Sequence, residues 1–294
     1  MTQLIITGAG PTRRGLISAV SGCMTEQGCN ILDCAQFNDE ETGRFFLRMV
    51  VRCETGTTLR DLQAALDRIV PDTGLSLEVH DGAAKTRLVI MVSKFGHCLN
   101  DLLYRWRIGA LPVEIVGVIS NHPDYEATVA GHGLPFHHIP VTPETKTAAE
   151  ARQLAVVEEA GADLVVLARY MQVLSDGLCA HMAGRIINIH HSFLPSFKGA
   201  VPYKQAHARG VKLIGATAHY VTADLDEGPI VEQDTVRVTH AQSAEDFVAL
   251  GRDVEAQVLS RAIHAHADRR TFLNRGKTVI FPASPGAFAS ERMG

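Results

Sequence analysis

The chain changes its hydrophobic period once, near residue 85, and that change limits what it can fold into. Beyond it, short apolar runs recur at Arg87–Ser93, Glu114–Ser120, Phe136–Ile139, Leu164–Ala168, Arg185–His190, Ile214–Val221 and Ile230–Val238. Stretches with helical spacing separate the early runs, at Cys98–Arg107, Tyr125–Gly131 and Thr147–Ala160, and Ser243–Ala267 reads as a long amphipathic helix. Strands alternating with helices predict an α/β unit with a mainly parallel, Rossmann-like sheet. Such open sheets take ligands beyond the carboxyl ends of their strands.

The first eighty residues follow a different rhythm. Leu4–Thr7 reads as a strand, broken by Gly8-Ala9-Gly10-Pro11. Leu16, Ile17, Val20, Cys23 and Met24 recur at helical spacing up to Gly28, which suits a helix end. Asn30–Phe37 and Arg44–Arg52 read as strands joined by the polar connection Asn38–Gly43. Thr57–Val70 carries Leu59, Leu62, Leu66 and Ile69 on one helical face, and Leu75–Val79 closes as a strand. The order βαββαβ is ferredoxin-like. The expected division is a first domain over 1–82, a linker at Asp81–Lys85, a second domain over 86–281, and a loose tail over 282–294, where Pro, Ala, Ser and Gly accumulate.

The totals narrow the class. With 294 residues, two domains are expected. A formal net charge of -4 and scattered Lys and Arg argue against a nucleic-acid partner. No segment approaches the roughly 20 apolar residues of a membrane span, and Met1–Thr7 carries no basic leader, so a soluble, cytoplasmic chain is expected. The six cysteines (Cys23, Cys29, Cys34, Cys53, Cys98, Cys179) form no C-x-x-C pair, which predicts reduced, buried thiols rather than disulfides or zinc ligands.

The densest chemistry lies in Arg185-Ile186-Ile187-Asn188-Ile189-His190-His191-Ser192-Phe193-Leu194-Pro195. In a strand, Asn188 and His190 point to one face, and Pro195 ends the strand just beyond them. An amide N–H and an imidazole side by side suit acyl transfer: both stabilise a tetrahedral oxyanion, and the imidazole also moves protons. Taken singly, Asn188 reads more readily as a cap and His190 as a core histidine; the pair shifts the balance to function. Downstream, Thr217-Ala218-His219-Tyr220-Val221 runs into the acidic loop Thr222-Ala223-Asp224-Leu225-Asp226-Glu227-Gly228. A carboxylate there can fix the tautomer of His190 or steer a water; an Asx-rich turn is the plainer alternative for Asp224 and Glu227. The spacing of His190, His191, His219 and Asp226 matches no zinc pattern, so no metal is expected.

Asn188-Ile189-His190-x-Ser192-x-Leu194-Pro195-Ser196-Phe197, with Thr217-x-His219-x-Val221 and Asp224-x-Asp226-x-Gly228, resembles the folate-dependent formyltransferase superfamily. The resemblance implies catalytic roles for Asn188, His190 and Asp226. It implies folate contacts at Arg169, Tyr170, Met171, Gln172, Val173, Leu174, His219, Asp224 and Gly228, with the loop from Thr222 to Gly228 closing over the pterin. Nearly the whole chain is similar to the formyltetrahydrofolate deformylase family, whose N-terminal unit is an ACT domain. At the first strand–helix turn, Ser93-Lys94-Phe95-Gly96-His97, only Gly96 remains of the glycine-rich loop with which related transferases cradle a substrate phosphate. The resemblance implies hydrolysis of 10-formyltetrahydrofolate to tetrahydrofolate and formate, with no cofactor beyond the folate substrate. Formyl transfer to an amine stays open as the alternative. It also implies a homo-oligomer and, at the ACT-like domain, an amino-acid effector. Gly15, Asn30 and Ile31 fit the ACT pattern, but the turn before Gly15 lacks its usual carboxylate, so a purely assembling role stays open beside sensing.

Overall fold

The protein is described here from a computed structural model, which places residues 2–54, 56–195 and 202–283. The chain divides into two compact units. The first is built from β1 (Thr2–Pro11), α1 (Leu16–Glu26), β2 (Cys29–Asp39), β3 (Arg44–Cys53), α2 (Leu59–Thr73) and β4 (Ser76–Asp81). Its sheet has the order β2-β3-β1-β4, antiparallel throughout. Leu4 and Ile6 on β1 and Leu47, Met49 and Val51 on β3 meet Val20 and Met24 of α1 and Leu62 and Leu66 of α2. Each fully buried leucine of this kind contributes about 1.5–3 kcal/mol. A capping box starts α2: the Thr58 hydroxyl accepts from the Asp61 N–H, and the Asp61 carboxylate accepts from the Thr58 N–H. Gly74, at φ 68°, ends it.

Two expectations fail in this unit. β1 does not stop at Gly8 but runs on to Pro11. Its glycines serve close approach: a Cβ on Gly8 would press on the Leu77 side chain at 2.8 Å, and one on Gly10 on the Gly74 carbonyl oxygen at 2.6 Å. Cys29 and Cys53 are not reduced thiols but a disulfide. The antiparallel register of β2 and β3 sets them opposite each other, a partnership that spacing along the chain does not reveal. Cys23, Cys98 and Cys179 are free and buried as expected, whereas Cys34 is free but exposed.

The second unit contains β5 (Thr86–Val92), α3 (His97–Arg107), β6 (Val113–Ser120), α4 (Glu126–Ala130), β7 (Phe136–His138), α5 (Lys146–Glu159), β8 (Leu164–Leu167), α6 (Asp176–His181), β9 (Ile186–His190), α7 (Pro202–Ala208), β10 (Leu213–Tyr220), β11 (Ile230–Arg237) and α8 (Ala244–Ala267). The sheet order is β11-β10-β9-β8-β5-β6-β7. Strands β5 to β9 pair in parallel, and β10 runs antiparallel to both β9 and β11. One face packs on α3 and α8 through Leu99, Leu102, Val258 and Ile263. The other packs on α5 and α6 through Ala149, Val157 and Cys179. Among the described residues, no helix is long and apolar enough to cross a membrane.

Among the described residues, the second compact unit runs from Thr86 to Ala267. The hairpin of β12 (Thr271–Asn274) and β13 (Lys277–Ile280) belongs to the first unit, where Phe272 meets the Phe46 ring edge-on at 5.8 Å. Arg48 Nε donates to the Asp268 carbonyl, and Asn274 Nδ2 donates to the Asp39 carboxylate. An apolar face on β3 opposite the helices thus finds its cover far along the sequence. From residue 284 onward the expected tail lies outside the described residues.

Candidate active site

Strand β9 sorts its side chains by alternation. Ile187 and Ile189 enter the core against α3 and α8, and Ile186 enters the core on the opposite face. Asn188 and His190 therefore share the face of Ile186. Along that face the apolar core gives way to a cavity of about 310 Å³. Its polar end holds Asn188, His190, His219 and Asp226, and its apolar wall includes Met171, Val173 and Leu225.

The antiparallel neighbour β10 brings the second motif alongside. Its register sets His219 opposite Asn188 and Thr217 opposite His190. Thr217 holds the loop after β9: its hydroxyl donates to the Ser192 carbonyl at 2.9 Å and accepts from the Leu194 N–H at 3.0 Å. Gln233 Nε2 donates to the same hydroxyl and to the Leu194 carbonyl. Ser196 and Phe197, part of the sequence motif, lie outside the described residues.

The loop between β10 and β11 folds back tightly. Tyr220 N–H donates to the Pro229 carbonyl, Thr222 Oγ1 and the Glu227 N–H both donate to the Asp224 carbonyl, and a Cβ on Gly228 would collide with the Tyr220 carbonyl oxygen. Asp226 is held at φ 59°, in the left-handed region that non-glycine residues seldom adopt. Arg169, which also lines the cavity, has φ 65°. Backbone strain of this kind concentrates at functional sites.

These constraints place Asp226 Oδ1 3.1 Å from His190 Nδ1. The imidazole donates through Nδ1 to the carboxylate, which leaves Nε2 buried and without a hydrogen-bond partner among the described residues. The hydrogen bond from His190 holds the Asp226 carboxyl below its ordinary range, outweighing the opposite effect of burial. Asp226 is thus an anion that fixes the ring and stabilises any proton arriving at Nε2.

His219 orients the amide. Its Nδ1 lies 3.0 Å from the Tyr220 carbonyl, which only accepts, so Nδ1 carries the hydrogen. Its Nε2 then offers a lone pair, and Asn188 Nδ2 donates to it at 3.2 Å. Burial lowers the His219 pKa, against the raising effect of its bond to Tyr220, so the ring stays neutral as this arrangement needs. One N–H of Asn188 is thereby fixed and the other is left for the cavity.

Of the sequence-predicted contacts, Arg169, Tyr170, Met171, Gln172, Val173, Leu174, His219 and Asp224 all line the cavity. Gly228 does not; it closes the loop that carries Asp226. The Tyr170 phenol is buried, accepts from Gln153 Nε2 at 2.8 Å, and has its pKa pushed up to about 12 by burial. Sequence reasoning misses a buried group on the other side of the sheet end, Glu255 with His97 and Tyr203. Its members are too far apart in sequence for any spacing to join them.

An amide and an imidazole lining one cavity, with a carboxylate against the imidazole, can together activate a carbonyl. Comparison with known proteins shows the family. Residues 86–263 match the formyl transferase family model and residues 2–80 match that of the ACT domain. The formyltetrahydrofolate deformylase of Corynebacterium sp. (strain P-1) is 47% identical over 277 residues, covering 94% of this chain and 97% of that one. The crystal structure of formyltetrahydrofolate deformylase from Burkholderia mallei ATCC 23344 is 50% identical, with a TM-score of 0.92 over 96% of this chain and 100% of that one. The glycinamide ribonucleotide transformylase 1 of Symbiobacterium toebii is 31% identical, with a TM-score of 0.63 over 67% of this chain and 95% of that one. With an ACT domain ahead of a formyl transferase domain and such likeness along nearly its full length, the chain belongs to the formyltetrahydrofolate deformylase family.

Proposed function

We propose that Asn188, His190 and Asp226 carry out the reaction of this family, the hydrolysis of 10-formyltetrahydrofolate to tetrahydrofolate and formate. The observation that carries the assignment is the 3.1 Å contact of His190 Nδ1 with Asp226, made while His190 and Asn188 face the same cavity. Asn188 donates its free N–H to the formyl oxygen. Asp226 keeps the imidazole upright and steers the attacking water. Water adds to the formyl carbon as its proton passes to His190 Nε2, and the oxyanion is held by Asn188 and by the imidazolium N–H so formed. The C–N bond then breaks as His190 Nε2 returns a proton to the departing folate nitrogen, and formate leaves. The apolar wall at Met171 and Val173 suits the flat face of a pterin, and the Tyr170–Leu174 backbone supplies polar groups for its edge. No cofactor besides the folate substrate takes part. The ACT domain supports assembly into a homo-oligomer and an amino-acid effector, and the folate chemistry supports a cytoplasmic location.

The test is formate release from 10-formyltetrahydrofolate with no amine present, which a transferase would not sustain. Asn188→Ala and Asp226→Asn should stay folded and lose on the order of a hundredfold or more in turnover. Near-normal release by either variant would falsify the assignment.

A further inference from the structure

Between β5 and β8 the connections of the sheet change direction: β6 and β7 lie on one side, β8 and β9 on the other. In doubly wound sheets the crevice beyond the strand ends at such a point takes a ligand. Here side chains of the chain itself occupy it. His97, which begins α3 just after β5, and Arg169, which follows β8, converge on Glu255 of α8. The Glu255 side chain is 1% exposed. Its Oε2 lies 2.8 Å from His97 Nε2 and 3.3 Å from Arg169 Nη1, and its Oε1 accepts from the Tyr203 hydroxyl at 2.8 Å.

The packing is shaped for this arrangement. Gly251, one turn before Glu255 on α8, leaves room for the Tyr203 ring, which a Cβ would overlap. Gly96 does the same for Tyr125, whose hydroxyl donates to the Lys94 carbonyl and so closes the turn between β5 and α3. His97, Cys98 and Glu255 also have metal-ligand chemistry. The Arg169 cation and the Tyr203 hydroxyl already serve that carboxylate, so the group reads as an internal ion network.

The network borders the catalytic centre and meets the cavity at Arg169. His191 bridges the two, its ring centroid 5.2 Å from that of His190 and 6.3 Å from that of Tyr203. Arg169 belongs to both, since it also lines the cavity. A folate in the cavity leaves this side for the incoming nucleophile. We propose that the Glu255, His97, Arg169 and Tyr203 network determines acceptor choice, filling the space an amine acceptor would need so that only water reaches the formyl carbon. The inference rests on the hydrolase reading above and explains how one fold serves both this family and the related transformylases.

The probe is glycinamide, a primary amine, added at rising concentration to the full chain with 10-formyltetrahydrofolate. Transfer would form a C–N bond from the amine to the formyl carbon, break the bond to the folate nitrogen, and pass the amine proton to that nitrogen. The product is N-formylglycinamide, counted by mass spectrometry against formate. Wild type should give formate alone above the enzyme-free blank. Tyr203→Ala or His97→Ala should raise the ratio of N-formylglycinamide to formate at least roughly tenfold. Tyr203→Phe, which keeps the ring, should retain the wild-type ratio. N-formylglycinamide from wild type in proportion to the amine overturns the proposal whatever the variants do. So does an unchanged ratio in a folded Tyr203→Ala or His97→Ala protein. Absence of formate without amine would instead defeat the hydrolase reading itself.

Discussion

At the scale of single residues, the site depends on which atoms hold hydrogens. His219 can orient Asn188 only while it is neutral and carries its hydrogen on Nδ1 toward Tyr220. His219→Ala should therefore leave a folded protein whose formate release falls, up to on the order of a hundredfold, because the amide is free to turn away. Unchanged turnover would show that Asn188 needs no such support. Asp226 makes a separate prediction through its lowered carboxyl pKa. A carboxylate depressed in the folded state adds stability above its ordinary pKa, and that stability is lost as pH falls through the lowered value. Urea unfolding of wild type and Asp226→Asn should therefore differ at neutral pH, with the gap starting to close only below roughly pH 4 and vanishing once pH has passed the lowered value; a gap that closes well above roughly pH 4 would contradict the sign. The Asn188 and His190 pair was legible because strand alternation needs only neighbouring residues. The role of Asp226 came from the resemblance, since no local rule foretells a loop that bends back at φ 59° to meet a ring on another strand. His97 and Glu255 were illegible because 158 residues separate them.

At the scale of elements, the glycines decide how tightly segments close. Gly228 lets the loop before β11 fold against the end of β10. Gly228→Ala should push the loop outward and move Asp226 away from His190. Turnover should then fall as in Asp226→Asn, while the melting temperature changes little by comparison. A fully active Gly228→Ala protein would mean that the loop tolerates the shift. The ferredoxin-like order and the alternating strands and helices were legible because periodicity reports burial within one element. The same reasoning failed at Gly8 and Gly10, where glycine marks close approach rather than a break. It also could not see Cys29 facing Cys53, because register is a property of two strands.

At the scale of the whole molecule, the unexpected feature is the return of the chain after Ala267 to the first unit. Composition suggested a loose end after residue 281, and hydrophobic patterning gave no sign that β12 and β13 belong with β3. Truncation after Ala267 should uncover Phe46 and remove the acceptor of Arg48 Nε. Loss of burial for one large aromatic costs on the order of 2 kcal/mol, which for a unit of this size lowers its melting temperature by several degrees. Scanning calorimetry on the truncated and full chains measures this directly, and coincident transitions would show that the hairpin is dispensable.

That return also has a consequence for the order of events during synthesis. Strands β1 to β4 wait for a hairpin made later, and residues 86–267 leave the ribosome in between. Domains commonly fold in the order in which they emerge. Here the unit that begins the chain can finish its own surface only after its successor is already complete.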